Sequence, residues 1–194
     1  MRKQIFLIAG GNGAGKSTFY YHYLQPRGIP FINADLIAKQ EHPDNPEKWS
    51  YIAARKAEKL RQSSLDKGAS FCFETVFSHP SKIDFLAKAK GLGYEIILIY
   101  IHLENASLNQ ARVAQRVSQG GHSVPAEKII SRIPRTMQNI KRALPLTDTT
   151  MIFDNSNDTV HFKPIAKLIN QSLIINVDRL PEWASEILGD YIDK

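Results

Sequence analysis

The chain has 194 residues, 43% apolar and 23% charged, with one cysteine and a net charge of +6. That size suits one domain with a full core, and the composition excludes a disordered, collagen-like or disulfide-stapled chain. The longest apolar run, Ile96–Ile101, is too short to cross a bilayer. The lone Cys72 has no internal disulfide partner, so a reducing cytoplasm is the expected location.

Gln4–Ala9 is a continuous apolar run, as expected of a strand buried on both faces. It runs directly into a glycine-rich loop, and Lys16–Leu24 follows as a helix that Pro26 ends. Pro30–Asn33 is expected as a second strand and Asp35–Gln40 as a helix start. Glu47–Lys67 is a long helix: Trp49, Ile52, Ala53, Lys56 and Leu60 keep a helical period, and Gly68 stops it. Ser70–Glu74 is a third buried strand, Ser81–Lys90 a helix and Glu95–Leu103 the strongest strand. Leu108–Ser118 and Ala126–Leu144 are helices separated by Gly120-Gly121-His122, the second bent or split at Pro134. Thr150–Asp154 is a fifth strand. Thr159–Lys163 and Leu173–Val177 are expected to form a short terminal β element, and Pro181–Leu188 a last helix. Alternating strands and helices predict an α/β fold with a mostly parallel, about five-stranded sheet flanked by helices. No linker stands out, so residues 1–194 are expected to form one domain. In such sheets ligands bind beyond the carboxyl ends of the strands.

The loop Gly10-Gly11-Asn12-Gly13-Ala14-Gly15-Lys16-Ser17-Thr18 fits G-x-x-x-x-G-K-[ST], between a buried strand and a helix. Glycines let successive backbone N–H groups turn inward around phosphate oxygens, and the helix adds its N-terminal dipole and free donors. Lys16 is expected to reach the β- and γ-phosphates of ATP, and Ser17 to ligate Mg²⁺. Asp35, just past the second strand, is placed to accept the proton of an incoming hydroxyl. Alternatively, Asp35 or Asn33 merely caps the next helix. Glu74 and Thr75 end the third strand at the same sheet edge and are candidates for orienting the substrate. Between Asn105 and Pro145 seven Lys and Arg residues stand against one acid, Glu127, which implies an anionic partner. Arg112 and Arg116 share a helix face, and Arg132 and Arg135 flank Pro134. A hinged helix pair over residues 105–145 is a candidate lid whose arginines neutralise a transferring phosphoryl group. Arg116 and Arg132 are the catalytic candidates, with Arg112 on the nucleotide. Asn155, after the fifth strand, is a candidate for adenine contact.

The ordered set of stretches 10–18, 31–38, 71–103, 112–135 and 153–158 resembles the zeta toxin kinases and their short relatives. The resemblance implies a P-loop kinase fold with a helical lid and a C-terminal extension over about residues 156–194. It also implies use of ATP and Mg²⁺, Asp35 as general base, and Arg116 and Arg132 as the lid arginines. It further implies phosphoryl transfer to a nucleotide sugar such as UDP-N-acetylglucosamine and an antitoxin partner that obstructs the nucleotide site. The chain is shorter than the best-studied members, and only Glu74 and Thr75 match their sugar-side region. Two other functions fit the same loop: a polynucleotide kinase or nucleic-acid-associated ATPase, and a nucleotide-dependent interaction module. The basic segment carries no aromatic residue to stack on bases, which disfavours the nucleic-acid function.

Overall fold

Seven apolar runs pair into one sheet. The computed structural model describes residues 2–121 and 123–192, so the His122 end of the expected hinge lies outside the described residues. The first four strands are β1 (Gln4–Ala9), β2 (Phe31–Ile32), β3 (Phe71–Thr75) and β4 (Glu95–His102). The last three are β5 (Thr149–Asp154), β6 (Lys163–Ile169) and β7 (Ser172–Ile175). Their order is β2-β3-β1-β4-β5-β6-β7. The first five in that order run parallel, as expected, and β6 and β7 add an antiparallel hairpin.

The helices are α1 (Lys16–Phe19, continued by a wider turn over Tyr20–Leu24), α2 (Ala34–Glu41), α3 (Ser50–Asp66), α4 (Ser81–Gly91), α5 (Ala106–Ser118), α6 (Ala126–Ala143) and α7 (Glu182–Ile192). Alternate residues of the central strands feed opposite faces of the sheet, because successive side chains along a strand point opposite ways. Leu7, Phe73, Leu98 and Tyr100 join Leu86, Ile140 and Leu188 from α4, α6 and α7. Ile8, Cys72, Ile99 and Ile101 join Phe19, Tyr20 and Phe162 on the other side.

Three expectations need correction. The terminal β element is not at Thr159–Lys163: β6 begins at Lys163 and turns at Asn170-Gln171, both with positive φ, into β7. Pro164 hides this strand in the sequence, since proline cannot donate to a ladder. The sheet accommodates it where the β5–β6 register shifts, between Ile152 and Phe153. The buried stripe of α3 is Ala53, Ala57, Arg61 and Leu65, while Ile52 and Leu60 are exposed. Small alanines let α3 pack closely on Ile37 and Ala38 of α2. Finally, α6 runs unbroken through Pro134. Its buried stripe of Ile129, Thr136, Asn139 and Ile140 holds both sides of the proline in one helix.

Beneath the loop side of the sheet, the buried His102 ring bonds the Tyr100 hydroxyl through Nδ1 at 2.8 Å. Burial pushes the imidazole down to about 4 from 6.5, against the opposing pull of Asp154. The unfolded chain therefore binds the extra proton between those two values, so stability rises with pH through that window and falls as pH drops from 6.5 toward 4. Across it, denaturation titrations should show a loss on the order of 3 kcal/mol, which a His102→Gln variant should largely lack.

Candidate active site

The carboxyl ends of β1, β2, β3 and β5 bring the expected residues to one edge. Ile32 pairs with Phe73, which sets Asn33 beside Glu74, and Ile8 pairs with Glu74 in turn. The loop after β1 takes positive φ at Gly10, Gly13 and Gly15. It is packed from behind: a Cβ on Gly10 would stand 2.3 Å from the Ile101 carbonyl oxygen, and one on Gly11 2.7 Å from Asn109 Nδ2. Glycine is therefore required at Gly10 by packing and by backbone conformation, and at Gly11 by packing against Asn109.

Asn12, Gly13, Gly15, Lys16, Ser17 and Thr18 line a cleft of about 450 Å³. Asn33, Asp35, Glu74 and Thr75 line it as well, and so do Arg112, Arg116 and Arg132. Gly10, Gly11 and Ala14 lie outside that lining and shape the loop instead. Lys16 Nζ donates to the Gly11 carbonyl at 2.9 Å. Burial lowers its ammonium below the ordinary lysine range; Glu74 and Asp35 oppose that shift, while Arg116 and Arg132 add to it. All four of those groups thus act on one buried charge.

Ser17 Oγ donates to the Glu74 carboxylate at 2.9 and 3.0 Å. Burial raises the Glu74 carboxyl above its ordinary range, and Lys16, Ser17 and a hydrogen bond from Asn33 counter it. Among the described residues no group of three or more His, Cys, Asp or Glu could hold a metal. Mg²⁺ takes one or two protein oxygens and completes its shell with phosphates and water, and the Ser17 hydroxyl with the Glu74 carboxylate would supply such a pair.

The helix cap belongs to Asn33, whose side chain accepts the Leu36 N–H at 3.1 Å. Asp35 sits in the first turn of α2 and lines the cleft. Thr75 Oγ1 accepts the Phe77 N–H at 3.0 Å. Arg132 donates to Asn12 Oδ1 at 3.3 Å, tying α6 to the loop. Arg112 donates to the Asn155 carbonyl at 2.8 Å and pairs with Asp158 at 3.0 Å. Arg135 is not with them; it is exposed and bonds Ser131 on its own helix.

Asn155 braces the loop: Nδ2 donates to the Ala14 carbonyl at 2.9 Å, and Oδ1 accepts the Phe162 N–H at 3.1 Å. It also borders a second cavity of about 470 Å³, with Tyr23, Arg112, Gln115 and Phe162 around it. Sequence reasoning missed Asn33 and Asn109 as parts of the site. For Asn33 the signal was its position two residues before Asp35 at a helix start; for Asn109 there was none.

The zeta toxin family model matches residues 1–164. An uncharacterized protein of Haemophilus influenzae is 34% identical over 130 residues, covering 67% of this chain and 91% of that protein. Among solved structures, the AvrRxo1-ORF1:-ORF2 complex with ATP is similar at a TM-score of 0.70 and 17% identity, over 90% of this chain. This chain spans 61% of the length of that one. The PezAT toxin–antitoxin system of Streptococcus pneumoniae is similar at a TM-score of 0.64 and 16% identity, over 100% of this chain and 88% of that one.

Proposed function

Because the chain belongs to the zeta toxin family, we propose that it is an ATP-dependent phosphotransferase that moves the γ-phosphate of MgATP to a hydroxyl of a small molecule. One observation carries this reading: Asp35, freed from capping by Asn33, lines one cleft with Lys16 and the arginines of two helices. A nucleotide-binding module needs the loop but has no use for a carboxylate facing the terminal phosphate.

In this reading the loop N–H groups and Lys16 hold the phosphates. Ser17, with Glu74 behind it, would hold Mg²⁺, which when bound would supply charge neutralisation for the phosphates. The nucleoside lies in the cavity beside Tyr23 and Arg112. Asp35 takes the acceptor's proton as its oxygen attacks phosphorus and the bond to the ADP oxygen breaks. Arg116 and Arg132 stabilise the charge spreading over the transferring oxygens. Helices α5 and α6 form the lid.

The acceptor proposed from the family resemblance is a nucleotide sugar such as UDP-N-acetylglucosamine. A partner of antitoxin type is proposed on the same ground, supported by the toxin–antitoxin system among the structural neighbours. Phosphorus NMR of the protein with MgATP and candidate acceptors tests the reading. ADP should appear together with a new phosphomonoester resonance. Accumulation of inorganic phosphate alone would make the protein an ATPase.

A further inference from the structure

Asn109 is 2% exposed and lies in the first part of α5. Its Nδ2 donates to the Asn12 carbonyl at 2.6 Å, fixing the backbone of the phosphate loop from behind. Its Oδ1 is buried and has no hydrogen-bond partner among the described residues. A buried polar atom left so is costly, and such atoms normally find protein or water.

Asn109 shares with His102, Gly11 and Thr136 a cavity of about 10 Å³. That is about the space one water requires, and its walls are polar enough to bond one. The His102 ring in turn is held on two sides. The Tyr100 hydroxyl bonds it at 2.8 Å, and the Trp183 ring stacks on it with centroids 4.2 Å apart and planes 28° apart. Trp183 is the second residue of α7, in the part of the chain beyond the family match at residues 1–164. The aromatic and polar contacts thus run from α7 to the loop: Trp183 on His102, His102 across a water-sized cavity from Asn109, Asn109 on Asn12. From Asn12 they continue to Arg132.

We infer that Trp183 and His102 are positioning residues for the phosphate loop, acting through Asn109 and a bridging water. Helix α7 is then a brace of the nucleotide site, although it stands outside the cleft's lining. The inference rests on the nucleotide-binding part of the proposed function. Stacking fixes the plane of the imidazole, and the imidazole sets where the water sits. The water satisfies Asn109 Oδ1 and so fixes the amide whose other end holds Asn12. A rigid cradle holds phosphate oxygens better than one that must be ordered on binding.

The test is MgATP binding by calorimetry at pH 7.5, with melting temperature measured on the same samples. Trp183→Ala should raise the Kd about tenfold, and Trp183→Phe, which keeps a ring on His102, should restore it to within about twofold. A purely structural Trp183 would lower the melting temperature of Trp183→Ala and leave its Kd unchanged; that result overturns the inference. A second readout does not depend on that variant folding. Trp49 stacks on His42, away from this cluster, so a Trp49→Phe background leaves Trp183 as the only tryptophan. Its emission should change on saturation with MgATP, and should change less in Asn109→Ala measured at the higher nucleotide concentrations that saturate that variant's weakened site; an undiminished change there overturns the inference. Constant emission through saturation overturns the inference and leaves the proposed function standing. Wild-type protein that does not bind MgATP overturns the proposed function itself.

Discussion

An Asp35→Asn variant is expected to bind MgATP as tightly as the wild type and to transfer phosphate about 10²- to 10⁴-fold more slowly. The geometry separates the two effects. Asp35 lines the cleft but, among the described residues, makes no hydrogen bond that holds the loop, and the cap of α2 rests on Asn33. Asparagine keeps the shape and loses the basic oxygen. Secondary structure and melting temperature should therefore stay near wild type. Calorimetry for ATP and a transfer assay for product, run on one preparation, check both halves. Transfer at the wild-type rate would move the proton-accepting role to another group at the sheet edge, Glu74 being the nearest carboxylate in the cleft.

Removing the two lid arginines together, as Arg116→Ala with Arg132→Ala, is expected to cost the transfer step about 10³-fold or more. Phosphoryl transfer asks the protein for positioning and charge, with little covalent chemistry of its own. Arg116 and Arg132 come from different helices, yet both act on the Lys16 ammonium, so they converge on the place where the γ-phosphate lies in the proposed complex. Arg132 also holds Asn12 Oδ1. The Arg132→Ala single variant should consequently weaken ATP binding more than Arg116→Ala does. Arg135→Ala serves as the control, because among the described residues its guanidinium bonds only Ser131 on its own helix; it should leave both parameters near wild type. Single-turnover rates with saturating nucleotide separate the binding loss from the loss in chemistry.

The phosphate loop and the parallel sheet were legible because each is dictated locally. The loop needs glycine at fixed offsets, and strands buried on both faces need unbroken apolar runs. Asp35 and Glu74 were legible for a related reason: the polar residue that follows a buried strand must emerge at the sheet edge. What stayed hidden depends on partners distant in sequence. Asn109 looks like any helix asparagine until the fold brings it against its acceptor on the loop, 97 residues away in sequence. Asn155 stood in the sequence as a candidate for base contact, and its bracing of Ala14 and Phe162 could not be read there. The β6–β7 hairpin was obscured by Pro164 and by a turn, Asn170-Gln171, that reaches positive φ without glycine. In α3 the apolar residues that kept a helical period, Ile52 and Leu60, face out, because close packing on α2 selects alanine instead. Arg112, Arg116, Arg132 and Arg135 all stood in one basic segment of the sequence; the first three line the cleft, whereas Arg135 bonds Ser131 on its own helix.

In the proposed function this cleft gives the γ-phosphate away. The most direct measurement incubates the protein with γ-labelled ATP and a metabolite extract, beside a Lys16→Ala variant, and resolves the labelled products. A labelled small molecule is expected, formed by wild-type protein and absent with Lys16→Ala. Label appearing only as inorganic phosphate, or the same product formed without Lys16, would contradict it.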